Sequence, residues 1–220
     1  ASAPGSGGRV VRLPLRVEEV SGDALTSPAN AADMIVITTP DVAGSPLSTA
    51  FQDYIAHREA DSGLSLRTAM MKDIYDQFSY GVETPEALRS FLAYALDNWR
   101  GAVGTSAAPA YVLLLGDISL DYKNNTGDAA WVNQVPTFVM YKKDYILDYY
   151  ASDTYIAAVR GADQLPDIHL GRLSVRNATE AATVFQKLTD YDTIAPTGSW
   201  LAKGLFLADR GNPGTGETDE

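Results

Sequence analysis

No cysteine occurs among the 220 residues. That excludes disulfide bonds, thiolate metal sites and a thiol nucleophile on this chain, and it leaves the redox compartment unmarked. Histidine is almost as scarce, with only His57 and His169. No Gly-x-Ser-x-Gly elbow is present, so a serine triad has no support. Neither a phosphate-binding Gly-x-x-x-x-Gly-Lys nor a Gly-x-Gly-x-x-Gly after a strand occurs, so nucleotide and dinucleotide binding have none either. Basic residues are in deficit: 17 Lys and Arg stand against 28 Asp and Glu, a formal charge of −11. Nucleic acid and anionic membrane surfaces attract basic faces, so neither is an expected partner. No apolar run approaches the about 20 residues of a membrane-spanning helix. Ala1 is followed by Ser, Pro and Gly rather than by a basic-then-apolar leader, and a targeting peptide is expected to be absent from these residues.

What is present fits a folded α/β chain. Hydrophobic residues make up 45% and charged residues 20%, ordinary values for a globular protein. The acidic balance suits a secreted or thermally robust surface, or bound cations, and composition does not choose among them. Residues 1–8 are small and Gly-rich, residues 9–20 alternate like a strand, and residues 21–32 read as a polar linker.

From Asp33 the pattern becomes regular. Met34-Ile35-Val36-Ile37-Thr38 is a β-branched run, as expected of a strand covered on both faces. Ser45-Pro46 reads as the start of a helix that carries Leu47, Phe51, Tyr54 and Ile55 up to Gly63. A strand is expected over 64–70 and a short helix or turn over 73–80. Thr84-Pro85 caps the helix expected to be the longest, with an apolar stripe of Leu88, Phe91, Leu92, Ala95, Leu96 and Trp99. Tyr111 to Leu115 is the next strand. This alternation is the sequence form of right-handed βαβ crossovers and a parallel sheet.

Residues 117–153 form an acidic, aromatic, loop-rich segment. Residues 168–175 form a further strand, and Asn177 with Glu180 makes a capping box for a following helix. A last apolar strand is expected over 204–208, ending at Asp209.

In an open α/β sheet, ligands collect outside the carboxyl ends of the strands, which singles out the polar residues at those stops. Gly116-Asp117 is read either as a tight turn or as a polar group placed to hold a cation. Asp121, Asn124, Asn125 and Asp128 follow, and their oxygens would suit calcium, which takes about six to eight such ligands, although the spacing matches no EF-hand. Tyr122, Trp131, Tyr141, Tyr145, Tyr149 and Tyr150 either pack this segment onto its scaffold or form a recognition surface with Lys142 and Lys143. His57 reads as a surface residue. His169 points to the face opposite Ile168 and Leu170. By pattern alone, residues 211–220 read as a mobile acidic tail.

Five segments, taken in order and spacing, resemble the gingipain family of cysteine peptidases, which has a caspase-like fold. They are Leu113-Leu114-Leu115-Gly116-Asp117, Ser152-Asp153-Thr154-Tyr155, the strand from Pro166 through Gly171-Arg172 to Val175, the helix bearing Lys187 and Tyr191, and Trp200 with Leu205-Phe206-Leu207-Ala208-Asp209. The resemblance implies a caspase-like parallel sheet flanked by helices, in two adjacent subdomains. Residues 1–31 would be tail and linker with one possible strand, 32–150 a first α/β subdomain, and 151–220 the start of a second, catalytic one.

The resemblance also implies a secreted cysteine endopeptidase acting on protein or peptide substrates. In such enzymes a thiolate attacks the scissile carbonyl, an imidazole shuttles the proton and backbone amides hold the oxyanion. The family's histidine and cysteine come after the point reached by residue 220, and neither His57 nor His169 matches the histidine's motif. Both groups are therefore expected on a second chain or a further segment. Asp209 matches the acid that orients the catalytic histidine. Glu217-Thr218-Asp219 is similar to the element that puts an aspartate on the floor of the S1 pocket. That nominates Asp219 as the group favouring arginine at P1, although the intervening loop is one residue shorter. Calcium in loops around the sheet is a family feature, which points to Asp117, Asp121 and Asp128 as metal ligands. The alternative is a catalytically inactive gingipain-like scaffold or binding domain.

Overall fold

The computed structural model describes residues 24–101, 108–119, 121, 124–127, 132–141, 149–161, 163, 165–194 and 198–206. The strand expected over 9–20 lies outside them. Four strands form one parallel sheet: β1 (Met34–Thr38), β2 (Leu66–Met70), β3 (Tyr111–Leu115) and β6 (His169–Leu173), in the order β2-β1-β3-β6. Met34 faces Leu66 on one side and Tyr111 on the other, and Tyr111 in turn faces His169. The sheet thus draws strands from both sides of residue 150.

Alternation along the strands divides the apolar residues between two cores. Ile35, Ile37, Ala69, Val112 and Leu114 face α3 (Met71–Phe78), α4 (Pro85–Asn98) and α5 (Thr154–Ala157). Val36, Leu113 and Leu115 face α1 (Pro40–Ala43), α2 (Thr49–Ser62) and α6 (Ala178–Thr193). This three-layer α/β arrangement is the expected fold class, and it explains why β1 up to Ile37 and β3 are nearly all apolar.

The caps set the helix limits. Ser48, not Ser45, caps α2 by accepting from the Phe51 amide at 3.3 Å, so the helix begins at Thr49. Gly63 closes it in the left-handed region at φ 68. Asn177 caps α6 by accepting from the amides of Thr179 and Glu180 at 3.0 and 2.9 Å. Glu180 reaches back to the Arg176 amide at 2.9 Å, one residue before the cap, so the box is offset by one. With 16 residues, α6 exceeds the 14 of α4 expected to be longest.

Three differences from the sequence reading have physical causes. Residues 24–32 are packed rather than a linker: Leu25 is fully buried, its carbonyl accepts from the Trp99 indole at 2.9 Å, and Asn30 bonds back to Ala24. The segment after Asp117 contains an antiparallel ribbon, β4 (Phe138–Tyr141) with β5 (Tyr149–Ser152), anchored by Phe138 edge-on to Tyr155 at 4.6 Å. Gly204 to Phe206 is not a strand, and Leu205 and Phe206 are 84% and 95% exposed. No described strand lies beside them to supply the ladder that a strand requires.

Candidate functional site at the carboxyl edge

β1 connects to β2 on one side and β3 to β6 on the other, so the switch point of the sheet lies between the carboxyl ends of β1 and β3. Residues 132–137 cross it as a strap. The amides of Gln134 and Val135 donate to the Asp117 carbonyl at 3.0 and 3.3 Å. Gln134 is buried, and its Oε1 accepts from the Thr39 hydroxyl at 2.5 Å. The strap passes so close to β3 that only glycine fits at 116. A Cβ there would stand 2.8 Å from Val135 Cγ2 and 2.9 Å from Gln134 Cβ.

Arg172, at the carboxyl end of β6, locks the strap. Its side chain is 10% exposed. Nε and Nη2 donate to Asp153 Oδ2 and Oδ1 at 2.7 and 2.8 Å, a two-pronged ion pair. Nη1 donates to the carbonyls of Gly116 and Val135 at 2.7 and 2.8 Å, and Nη2 also lies 3.4 Å from the Pro136 carbonyl. The Thr137 hydroxyl donates to Asp153 Oδ1 at 2.6 Å. Burial of Asp153 works against its charge, but the bonds from Arg172 and Thr137 outweigh it and hold the carboxyl below its ordinary value. One guanidinium thereby joins the exit of β3, the strap, the turn before α5 and β6. Both residues lie within the family motifs of the sequence, yet neither is among the expected site residues. The signal is an arginine between Gly171 and Leu173 in a strand, together with an aspartate in the motif just before it.

The expected site residues fall into two groups. Asp209, Asp219 and Asp128 lie outside the described residues. Asp117 is half-buried at the switch point, with its backbone bound to the strap. Its carboxylate has no hydrogen-bond partner among the described residues. Asp121 is half-buried, and four donors from Asn125 and Thr126 already occupy its carboxylate oxygens. Among the described residues, no three His, Cys, Asp or Glu side chains are gathered to hold a metal ion.

Neither histidine stands at this edge. His57 Nε2 lies 3.1 Å from Asp192 Oδ2, where it and Arg58 tie α2 to α6. His169 begins β6 at the opposite edge and stacks on Tyr111, with ring centroids 5.4 Å apart.

The model of peptidase family C25 matches residues 27–220. The chain belongs to peptidase family C25. This is the gingipain family expected from the motifs. No curated protein matches the chain. Among solved structures, the C25 chain is similar to dimeric latent PorU from Porphyromonas gingivalis. The TM-score is 0.58 at 22% identity, over 80% of this chain and 17% of that one. At that identity the likeness shows the fold, and this chain spans only a small part of the PorU length.

Proposed function

We propose that these residues are the amino-terminal portion of the catalytic unit of a secreted, gingipain-like cysteine endopeptidase. The described unit acts as its scaffold, and the thiol and imidazole come from a segment or chain outside these residues. The closed carboxyl edge carries this reading. Where an open α/β sheet would receive a ligand, Gln134 and Val135 fill the switch point and Arg172 holds them there. A family of peptidases needs a thiolate, and this chain has no cysteine.

The topology supports a reaction site in a second unit after α6. α6 covers the same face of the sheet as α2, whose crossover runs from β1 outward to β2. A right-handed crossover from β6 over that face leads back toward β3, a place already taken. In the proposed catalytic unit, Asp209 is the group that orients the histidine, which a carboxylate does by fixing the tautomer and stabilising the imidazolium. Asp219 lies at the base of the S1 pocket and favours arginine at P1.

Mass spectrometry of the native material tests the reading. A polypeptide carrying a Gly-His-Gly element and one reactive cysteine is expected to be joined to, or bound with, residues 1–220. An arginyl chloromethylketone is expected to label that cysteine. Failure to label under reducing conditions with calcium present would favour an inactive scaffold instead.

A further inference from the structure

Asp121 stands on the excursion that leaves β3 at Gly116 and returns as the strap. Its Oδ1 accepts from the Asn125 amide N–H at 2.8 Å and from the Asn125 side-chain amide at 3.0 Å. Its Oδ2 accepts from the Thr126 amide N–H at 2.8 Å and the Thr126 hydroxyl at 2.9 Å. The Asp121 carbonyl accepts from the Asn124 amide at 2.8 Å, with Asn124 in the left-handed region at φ 49. These bonds, the Thr126 amide foremost, hold the carboxyl below its ordinary value.

A carboxylate offers about four lone-pair directions, and here each has a donor. Calcium binds through the same lone pairs. A cation arriving at Asp121 would meet the positive ends of four N–H and O–H groups rather than free oxygens. Nearer the sheet, the Asp121 amide donates to Ser119 Oγ at 3.1 Å, and the Ser119 amide lies 3.4 Å from Asn133 Oδ1. At the base, Asp117 accepts from the strap and Arg172 holds Val135. Protein donors thus hold the described residues at Asp121, Ser119 and Asp117.

We propose that the Asp121 turn is closed by its own amide and hydroxyl donors in place of a cation, so that Asp121, Asn125 and Thr126 keep their arrangement without calcium. This departs from the family expectation at Asp121 and is independent of the reading of the chain as part of a peptidase. The ligand position that calcium would occupy is filled by Asn125 and Thr126.

The test follows the amide signals of Asn125 and Thr126 in the 15N-labelled 220-residue chain. Calcium chloride is raised to about 10 mM, beyond the weak end of extracellular calcium sites, and a parallel sample is kept in EGTA. Both amides are expected to stay in place through the titration and to keep the same exchange protection in EGTA. Asp121→Asn, which replaces one acceptor oxygen with a donor, is expected to remove that protection by at least about tenfold, the scale of one charge-assisted bond. Calcium taken up elsewhere, with these two amides unmoved, agrees with the proposal. A saturable shift of the two amides with calcium, or loss of their protection in EGTA, overturns it, as does Asp121→Asn with protection intact.

Discussion

Arg172 and Asp153 meet in a two-pronged ion pair at 2.7 and 2.8 Å, and the same guanidinium donates to the carbonyls of Gly116 and Val135. The pair lies between the end of β6 and the turn before α5, so breaking it frees several segments at once. Removing one partner leaves the other charge without compensation in a largely dry site, a loss of about 3–5 kcal/mol when burial is complete. Asp153 keeps 28% of its side-chain exposure, so solvent softens this, and Asp153→Ala is expected to lose about 2–3 kcal/mol. Arg172→Lys keeps the charge but not the fork, and is expected to fall between wild type and Arg172→Ala. Urea midpoints of the three variants check the order.

The same pair gives stability a pH dependence. Burial pushes the Asp153 carboxyl up, but Arg172 and Thr137 pull it down further, so its folded value lies below the unfolded one. The unfolded chain then binds the proton more readily over that interval. The contribution is complete above the unfolded value of about 3.9 and is lost as pH falls toward the folded value. Urea midpoints between about pH 3 and 6 are expected to fall on the acid side in the wild type and to fall less steeply in Asp153→Asn.

Gly116→Ala tests the closeness of the strap. The added carbon would stand within 3 Å of side-chain atoms of Val135 and Gln134, and neither residue has room to retreat because both are buried. Overpacking of this kind costs about 1–3 kcal/mol. Amide exchange should show the loss concentrated in Gln134 and Val135, with β1 and β3 protected. Uniform loss across the sheet would contradict the strap as a separate, displaceable segment.

Asn177→Ala tests the start of α6. Its side chain satisfies two first-turn amides, and such caps are worth about 1 kcal/mol. Asn177→Asp is expected to restore the wild-type melting temperature, since aspartate accepts from the same amides and also complements the helix dipole.

Much of the scaffold is legible in the sequence because its signals are local. The run Met34 to Thr38, the stripe of α4 and the cap at Asn177 each follow from a few neighbouring residues. The closed carboxyl edge was not legible. It depends on Arg172 meeting Asp153 and the carbonyls of residues 116, 135 and 136, groups that no periodicity brings together. Leu25 is illegible for a related reason: a lone large apolar residue gives no pattern, and its place in the core depends on distant partners, with Trp99 and Gln77 bonding its backbone. The helix expected from Ser45 shifted to Ser48 because two serines compete for the cap, and only contact with the Phe51 amide decides between them. The nominated Asp209 and Asp219 rest on the family motifs, and Asp219→Asn in the complete enzyme is expected to reduce the preference for arginine at P1.

The most direct measurement is peptide hydrolysis by the purified 220-residue chain, beside a longer protein that also carries the proposed histidine and cysteine. The account predicts that the longer protein cleaves after a basic residue and is labelled on a cysteine beyond residue 220, while the 220-residue chain neither cleaves nor reacts. Turnover by the 220-residue chain alone would contradict it.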